Sequence, residues 1–287
     1  VASGAADRLA LTDEELAIAC ASHNGEAAHV HTAAAMLAKA GVDADVLECG
    51  AHAPKLEADV RALGLAGAPA TALHNNCSGK HAGFVCLACA LMGGAGAGPD
   101  LRRFVRGYVG PTHPVMREVT AALQAATGCD LASAPVGTDG CSIPTFAIPL
   151  RALALAFARV ATGQGLSPDH ARAARRLRAA VAKAPFMVAG SGRFDTRVME
   201  RLGERVFCKV GAEAVYCAAL PELGLGVAIK VDDGNTARAA EVVMAAVIAA
   251  RVRLDADEAA FVDALVRPEL RNWNGRVVGG LRPAAGF

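Results

Sequence analysis

Apolar positions follow helical spacing over most of the chain and change to short, closely spaced runs in one part of it. In the helical parts, capping residues and stop residues mark many of the ends. Thr12, with Glu15 three positions later, forms a capping box that opens a helix to about Cys20. The predicted helices cover residues 13–20, 26–40, 55–63, 81–92, 101–108, 114–126, 149–162, 168–182, 195–202, 236–251 and 257–266.

The strand-forming part lies between residues 205 and 231. Its segments 205–210, 213–218 and 224–231 are separated by Gly or Pro, which predicts an antiparallel meander. One more short strand is predicted at 145–148, after a turn that ends at Pro144. Runs of helices beside one antiparallel sheet indicate a layered α/β fold rather than a doubly wound parallel sheet. Because no repeat or linker divides the chain, we predict a single domain over residues 1–287.

Composition excludes two classes of partner. The 287 residues are 53% hydrophobic, which is enough to bury a sizeable core. Lys and Arg number 29 against 28 Asp and Glu, and no long basic stretch is interleaved with aromatic residues, so we expect no nucleic-acid partner. Charged residues or Gly interrupt each apolar run before the ~18 residues of a membrane span, so we expect no membrane association.

The cysteines indicate a reducing compartment. There are nine of them, an odd number, scattered without the rhythm of a small disulfide scaffold. Together with the absence of a secretory signal pattern, this predicts reduced thiols in the cytoplasm. Cys86 and Cys89 have the spacing of a metal or redox pair, but they lie in an apolar predicted helix, which favours core packing.

The run from residue 74 to residue 81 is too polar to be ordinary core and precedes an apolar helix. Within it, Cys77 and Lys80 are three positions apart at the helix start, so they point to nearly the same side. A neighbouring lysine and a helix N-terminus both lower a thiol pKa, which predicts a reactive thiolate or a soft metal ligand. The alternative is a small buried cysteine beside a solvated lysine.

A second cysteine can complete this cluster. Asp139-Gly140-Cys141 lies at a predicted turn, where Asp139 and Cys141 could face one pocket; the alternative is an ordinary turn before a strand. Cys77, Lys80 and Cys141 would form a three-ligand site with an open position, which suits Zn²⁺. Lysine is an uncommon ligand because it coordinates only as the neutral amine.

Two distant segments can supply acyl-transfer chemistry. Ser22 needs a base to become a nucleophile, and a partly desolvated Lys209 can serve as one. His23 is adjacent to Ser22, but neighbouring side chains often point apart. Ser22-x-Asn24 and Lys209-x-Gly211 match two of the three elements of the β-lactamase and penicillin-binding group, whose third element, S-x-x-K, is absent from the sequence.

The loop at 190–196 is a further candidate. Arg193 in it can grip a carboxylate bidentately. The alternative, which can hold at the same time, is a helix start with Asp195 as its N-cap.

Taken in order, these segments resemble one family. They are similar to segments of the rhizobial-type L-asparaginases, the asparaginase II family. The matching segments are Ser22 to Glu26, the string N-N-C-S-G-K-H-A-G-F from residue 75, the DGC turn, the 190–196 loop and Lys209 to Glu213. The similarity runs over essentially the whole chain. It implies a serine β-lactamase-like fold with an antiparallel sheet flanked by helices, a homodimer, and hydrolysis of L-asparagine to L-aspartate and ammonia.

The resemblance also assigns roles. It implies Zn²⁺ held by Cys77, Lys80 and Cys141. The family has two Ser–Lys pairs, and Ser22 and Lys209 match one of them. In complete family members the serine of the other pair is the better candidate for attack, and the pair matched here would relay protons or activate it. In this chain Ser22 and Lys209 are left as the catalytic residues. We expect the substrate contacts to be Asp139, Asn76, Arg193 and His81.

The sequence departs from the family in two places. Family members carry an R-S-x-x-K-P-type segment just before the region that matches Val1, and they tend to have Ser where this chain has Asn24. If the natural protein begins at Val1, we expect greatly weakened or abolished hydrolysis. The alternative function is therefore an impaired relative that binds zinc and a small amino acid without turnover. A penicillin-recognising enzyme is a third reading, disfavoured by the missing S-x-x-K.

Overall fold

Helices dominate the described parts of the chain, and most of their bounds follow the sequence pattern. The computed structural model describes residues 1–93 and 98–284. Within these ranges the α-helices are α1 Ala5–Arg8, α2 Asp13–Ile18, α3 Ala27–Lys39, α4 Glu57–Leu65, α5 Ser78–Leu91, α6 Gly98–Phe104, α7 Pro114–Thr127, α8 Leu150–Thr162, α9 Pro168–Lys183, α10 Phe186–Ala189, α11 Phe194–Leu202, α12 Glu241–Arg251 and α13 Ala256–Val266.

The strands form three small antiparallel sheets rather than one. The predicted meander is confirmed as a sheet in the order β3-β4-β5, and two separate hairpins pair β1 with β2 and β6 with β7. The sequence pattern predicted β2 but missed β1, β6 and β7. The bounds are β1 Val136–Thr138, β2 Pro144–Phe146, β3 Phe207–Val210, β4 Val215–Leu220, β5 Leu225–Lys230, β6 Glu269–Arg271 and β7 Val277–Gly280.

The turn between β3 and β4 explains why the predicted second strand starts too early. Glu213 and Ala214 both have positive φ, at 54° and 53°, and Val215 N–H donates to the Ala212 carbonyl at 3.1 Å. This is a tight hairpin turn whose central positions normally favour Gly, Asn or Asp. Because Glu and Ala give no turn signal, the pattern assigned both residues to the strand.

Helices cover both faces of the three-stranded sheet. Tyr216 of β4 packs against Phe194 of α11 with ring centroids 5.6 Å apart, and Phe207 of β3 packs against Phe157 of α8 at 6.1 Å. Phe207 lies opposite Ala219 of β4 and so shares a face of the sheet with it. Ala219 is three positions from Tyr216, and side chains alternate between the two faces along a strand, so the two aromatic contacts lie on opposite faces. The mixed, layered α/β arrangement predicted from the sequence is confirmed.

The N-terminal helices hold the start of α5 in place. The Thr12 capping box is present, with Thr12 N–H donating to the Glu15 carboxylate at 2.7 Å, and Glu15 pairs with Lys39 of α3 at 2.6 Å. Gly79 of α5 lies so close to α2 that a Cβ atom there would be 2.4 Å from the Ile18 carbonyl oxygen. Only glycine therefore permits this approach, which fixes the first turn of α5 against α2.

The buried core includes the cysteine pair that was predicted to pack there. Cys86 and Cys89 of α5 are each 1% exposed. No disulfide is formed among the described cysteines. Across residues 1–93 and 98–284, no helix combines the length and apolar character that crossing a bilayer requires.

Candidate active site

One cavity of about 490 Å³ collects most of the predicted site residues. Its wall is built from the loop after α2, the start of α5, the β1–β2 hairpin, the loop before α11 and the end of β3. The lining residues are Ser22, Lys55, Asn76, Cys77, Lys80, Asp139, Ile143, Pro144, Thr145, Arg193, Val210, Gly211, Ala212 and Thr236.

Ser22 lines this cavity, and Lys209, which lies behind it and outside the lining, contacts its hydroxyl. Lys209 Nζ donates to Ser22 Oγ at 2.8 Å and to the Val210 carbonyl at 2.6 Å. Burial lowers the pKa of Lys209, and the nearby cations Lys80 and Arg193 lower it further. The amine therefore loses its proton more readily than an exposed lysine does, and in that form it can accept the proton of Ser22.

A buried carboxyl lies near Lys209. Asp195 Oδ1 accepts from Val210 N–H at 3.1 Å, and its Oδ2 has no hydrogen-bond partner among the described residues. Burial raises the pKa of Asp195, and the proximity of this carboxyl opposes the lowering of the Lys209 pKa. The N-cap assignment for Asp195 was wrong: Arg193 occupies that position, and Asp195 lies inside α11 with its side chain turned to β3.

Two loops are tied together at the edge of the cavity. Arg193 donates to Asn24 Oδ1 at 3.2 Å, and Asn24 Nδ2 donates to the Ser191 carbonyl at 3.2 Å. Glu26 accepts from Ser191 N–H at 2.8 Å and from its hydroxyl at 2.6 Å. At Gly190, where φ is +105°, a Cβ would lie 2.3 Å from Glu26 Oε1. These contacts set the position of Arg193.

His23 is a structural residue and not the base for Ser22. Its Nδ1 accepts from Gly25 N–H at 3.0 Å, so Nε2 carries the proton and donates to Ser78 Oγ at 3.0 Å. Burial lowers the pKa of His23 to about 3, with a smaller contribution from His29. The ring stacks on His29 at 4.6 Å. His23 therefore stays neutral and joins the Ser22 loop to the start of α5.

The predicted thiol cluster is assembled at the other side of the cavity. One ligand atom each from Cys77, Asp139 and Cys141 lies within 4.8 Å of the other two. Cys141 Sγ donates to Asp139 Oδ2 at 2.8 Å, and Lys80 Nζ donates to Cys141 Sγ at 3.2 Å. Asn75 Oδ1 accepts from Cys77 N–H at 2.8 Å and so fixes the turn that presents the first thiol.

The pKa values of the two thiols are shifted in opposite directions. The neighbouring Cys141 thiol and the Lys80 ammonium lower the pKa of Cys77 to about 6, against the effect of burial. Contact with Cys77 and burial raise the pKa of Cys141 to about 12. Since the two groups are coupled, the first proton lost belongs to the pair, and the resulting thiolate is stabilised by Lys80.

The donor set fits a zinc ion. Two sulfur atoms, a carboxylate and an amine are ligand types compatible with Zn²⁺, whose bonds to sulfur and oxygen are about 2.3 Å and 2.0–2.2 Å. Two ligand atoms bound to one zinc ion lie less than 4.8 Å apart. The separations between the ligand atoms of Cys77, Asp139 and Cys141 are also within 4.8 Å. The residues present can therefore hold zinc, and zinc binding itself stays a prediction.

Two other predicted substrate contacts have different surroundings. Asn76 lines the cavity, and its N–H donates to His52 Nε2 at 2.9 Å. His81 is fully buried behind the cluster, where its Nδ1 contacts the Tyr108 hydroxyl at 2.5 Å. Because His81 lies outside the cavity lining, the structure gives it no direct contact with a ligand there.

Sequence reasoning missed several lining residues. Lys55 was assigned to a helix, but α4 begins at Glu57, and Lys55 belongs to the preceding loop. Thr145, Ala212 and Thr236 also line the cavity without having been singled out. Thr145 and Ala212 lie in or beside segments that their motifs had already marked, whereas no local signal marks Thr236, which reaches the site through the packing of distant segments.

Comparison with known protein families shows a similarity over nearly the whole chain. A family model described as L-asparaginase II matches residues 1–283. The match contains all the residues discussed above. The curated proteins yield no match to this chain.

Proposed function

The chain belongs to the L-asparaginase II family, and from this premise we propose that it hydrolyses the side-chain amide of L-asparagine to L-aspartate and ammonia. The family supports an amidohydrolase. The single observation that carries the chemical assignment is the 2.8 Å contact between Ser22 Oγ and Lys209 Nζ, beside a cavity large enough for an amino acid. A serine with a lysine of lowered pKa is a base–nucleophile pair suited to acyl transfer.

The reaction proceeds in two halves. Neutral Lys209 takes the proton of Ser22 as Oγ attacks the amide carbon, and a tetrahedral intermediate forms. Lys209 then gives this proton to the departing nitrogen, so ammonia leaves and an aspartyl ester remains on Ser22. In the second half Lys209 takes a proton from water, which attacks the ester, and Ser22 recovers the proton as L-aspartate is released.

We assign the backbone N–H of Ala212 to the developing oxyanion. Val210 N–H points away from β4 to Asp195, and Gly211 N–H points back to the Val215 carbonyl at 2.7 Å. Because N–H directions alternate along extended chain, that of Ala212 is directed outward again. Ala212 lines the cavity, and its N–H meets no acceptor within the described residues. A free N–H at this place can stabilise negative charge on the substrate oxygen.

We further propose that Cys77, Lys80 and Cys141 hold Zn²⁺. Bound there, the ion would supply a Lewis acid that places the substrate. The low pKa of Cys77 favours binding, whereas the neighbouring thiolates raise the pKa of Lys80 despite its burial. Lys80 must therefore lose a proton when it coordinates. Asp139 lies close enough to serve as an additional oxygen donor.

Fold family, assembly and compartment complete the proposal. The Ser22-x-Asn24 and Lys209-x-Gly211 elements meet beside an antiparallel sheet with helices on both faces, which supports a serine β-lactamase-like fold. A homodimer rests on the resemblance alone, and sedimentation velocity tests it. A cytoplasmic location is supported by the lack of disulfides among the described cysteines.

One observation favours the alternative of an impaired relative that binds without turnover. Ser22 N–H donates to the Val188 carbonyl at 2.9 Å. In serine acyl-transfer enzymes the amide of the nucleophile often contributes to the oxyanion hole. Here that amide is occupied, which leaves Ala212 as the main backbone donor and lowers the expected rate.

Ammonia release from L-asparagine separates the two functions. The proposal predicts turnover by the wild-type protein and its loss in Ser22→Ala, with Ser133→Ala, an exposed serine outside the cavity, as the matched control. Full activity in Ser22→Ala overturns the role of Ser22. Zinc and L-aspartate binding by a wild-type protein that releases no ammonia supports the alternative.

A further inference from the structure

The cavity has more positive than negative side chains. Lys55, Lys80 and Arg193 line it, and Asp139 is the one acidic residue among its described lining. Asp139 is already engaged by Cys141 at 2.8 Å. Lys55 and Arg193 form no ion pair with any carboxylate in the described ranges, so the charge at their end of the cavity is not neutralised by the protein.

The backbone fixes Lys55 at the cavity. Its N–H donates to the Asn24 carbonyl at 2.8 Å, and the preceding Pro54 is buried. The side chain is exposed at the rim, and Nζ makes no hydrogen bond to any residue in the described parts of the chain. Lys55 is therefore anchored at its backbone and has three N–H donors free.

Arg193 is held by the same asparagine. Asn24 uses its carbonyl for Lys55 and its side-chain Oδ1 for Arg193, at 3.2 Å. This contact uses one guanidinium nitrogen, which leaves donors for a second acceptor. Partial desolvation at the rim and the charge of Arg193 lower the pKa of Lys55, against the smaller opposing effects of Cys77 and Asp195.

We propose that Lys55 and Arg193 together bind the α-carboxylate of the amino-acid substrate, and that Lys55 determines the preference for substrates in which this carboxylate is free. Arg193 supplies planar donors and Lys55 a point charge from the rim. Since Ser22 lines the same cavity, a carboxylate held there leaves the side-chain amide available to Oγ. This inference rests on the proposed function and names its charge recognition.

The test compares L-asparagine with L-asparaginamide, which carries a neutral amide in place of the α-carboxylate. In Lys55→Met we expect the KM for L-asparagine to rise about tenfold to a hundredfold, as for loss of a hydrogen bond to a charged group, with kcat largely unchanged. The kcat/KM for L-asparaginamide should not fall. Lys55→Arg should recover part of the affinity, and Lys183→Met, which removes an exposed lysine outside the cavity, should match wild type.

Binding of L-aspartate, measured by titration calorimetry, separates this inference from the proposed function. It needs no turnover: wild-type protein should bind L-aspartate, and Lys55→Met should bind it about tenfold to a hundredfold more weakly. Equal affinities overturn the role of Lys55, as does an unchanged KM or no binding by wild type. The two proposals can fail separately. If the wild-type protein releases no ammonia, and the Lys55→Met variant binds L-aspartate more weakly than wild type does, the hydrolase proposal fails and the carboxylate site stands.

Discussion

Lys209 Nζ and Ser22 Oγ lie 2.8 Å apart although 187 positions separate them in the chain. Each side is fixed independently: Ser22 N–H bonds to the Val188 carbonyl, and Lys209 is held in β3 by its pairing with Cys217. The contact is therefore a product of the fold as a whole. It links a loop after α2 to the edge of the three-stranded sheet, at the wall of the candidate cavity.

Replacing this lysine should remove activity in a way that depends on its ability to lose a proton. Lys209→Met is expected to reduce the initial rate of ammonia release by about 10²- to 10⁴-fold, the range for loss of a general base. Lys209→Arg should be similarly impaired, because guanidinium does not deprotonate in proteins. Lys183→Met, which removes an exposed lysine at the end of α9 and outside the cavity, is the control. Near-normal rates in Lys209→Arg would argue against a base at this position.

The rate should increase with pH. Burial lowers the pKa of Lys209, and the neutral amine is the active form, so kcat/KM should rise as pH rises through that lowered pKa and then level off. The free energy of unfolding should also increase with pH. At pH values between the pKa of Lys209 in the folded protein and its pKa in the unfolded chain, the unfolded chain binds more protons than the folded protein does, so raising the pH favours the folded protein. A pH–rate profile together with urea unfolding of wild type and Lys209→Met checks both. A rate that falls over this window would contradict the assignment.

Metal binding should depend on both thiols and on pH. Cys77→Ser and Cys141→Ser are each expected to lose most of the affinity for Zn²⁺, whereas Cys129→Ser, a half-buried cysteine outside the cluster, should retain it. Affinity should rise with pH, because coordination displaces protons from the thiols and from Lys80. Equilibrium dialysis with zinc quantification measures this, and Co²⁺ gives an independent thiolate absorption. Unaltered zinc binding in both variants would place the metal elsewhere.

The approach of α5 to α2 can be tested with two glycines of one helix. Gly79→Ala should destabilise the fold by about 1–3 kcal/mol, because the new Cβ would lie 2.4 Å from the Ile18 carbonyl oxygen and the backbone must move. A Cβ at Gly83 would have Ala19 Cβ as its nearest neighbour, at 3.4 Å, so Gly83→Ala should be neutral or stabilising by up to about 1 kcal/mol. Urea unfolding compares the two. Equal effects would show that α5 is not held this closely.

How much could be predicted from sequence differs between local and distant features. The Thr12 capping box and the meander of β3 to β5 carry local signals, and both were found. The hairpin of β6 and β7 was missed because its residues are all exposed, so no apolar face alternates along it. Cys77 and Lys80 were placed together by helical spacing alone.

The remaining site residues depend on packing between remote segments. Lys55 and His52 reach the cavity region through a loop whose sequence gives no indication of its partners. His81 is a case where a local signal was overlooked: together with Val85 and Ala88 it forms the buried stripe of α5 at helical spacing. That periodicity predicts burial rather than contact with a substrate, and the structure shows Tyr108 as the buried partner.

In the proposed reaction Ser22 carries the acyl group. Turnover of L-asparagine stopped rapidly by acid, followed by peptide mass mapping, should locate an aspartyl ester on Ser22, and Ser22→Ala should show neither the ester nor ammonia release. An ester on a different residue, or full ammonia release by Ser22→Ala, would show that Ser22 is not the nucleophile.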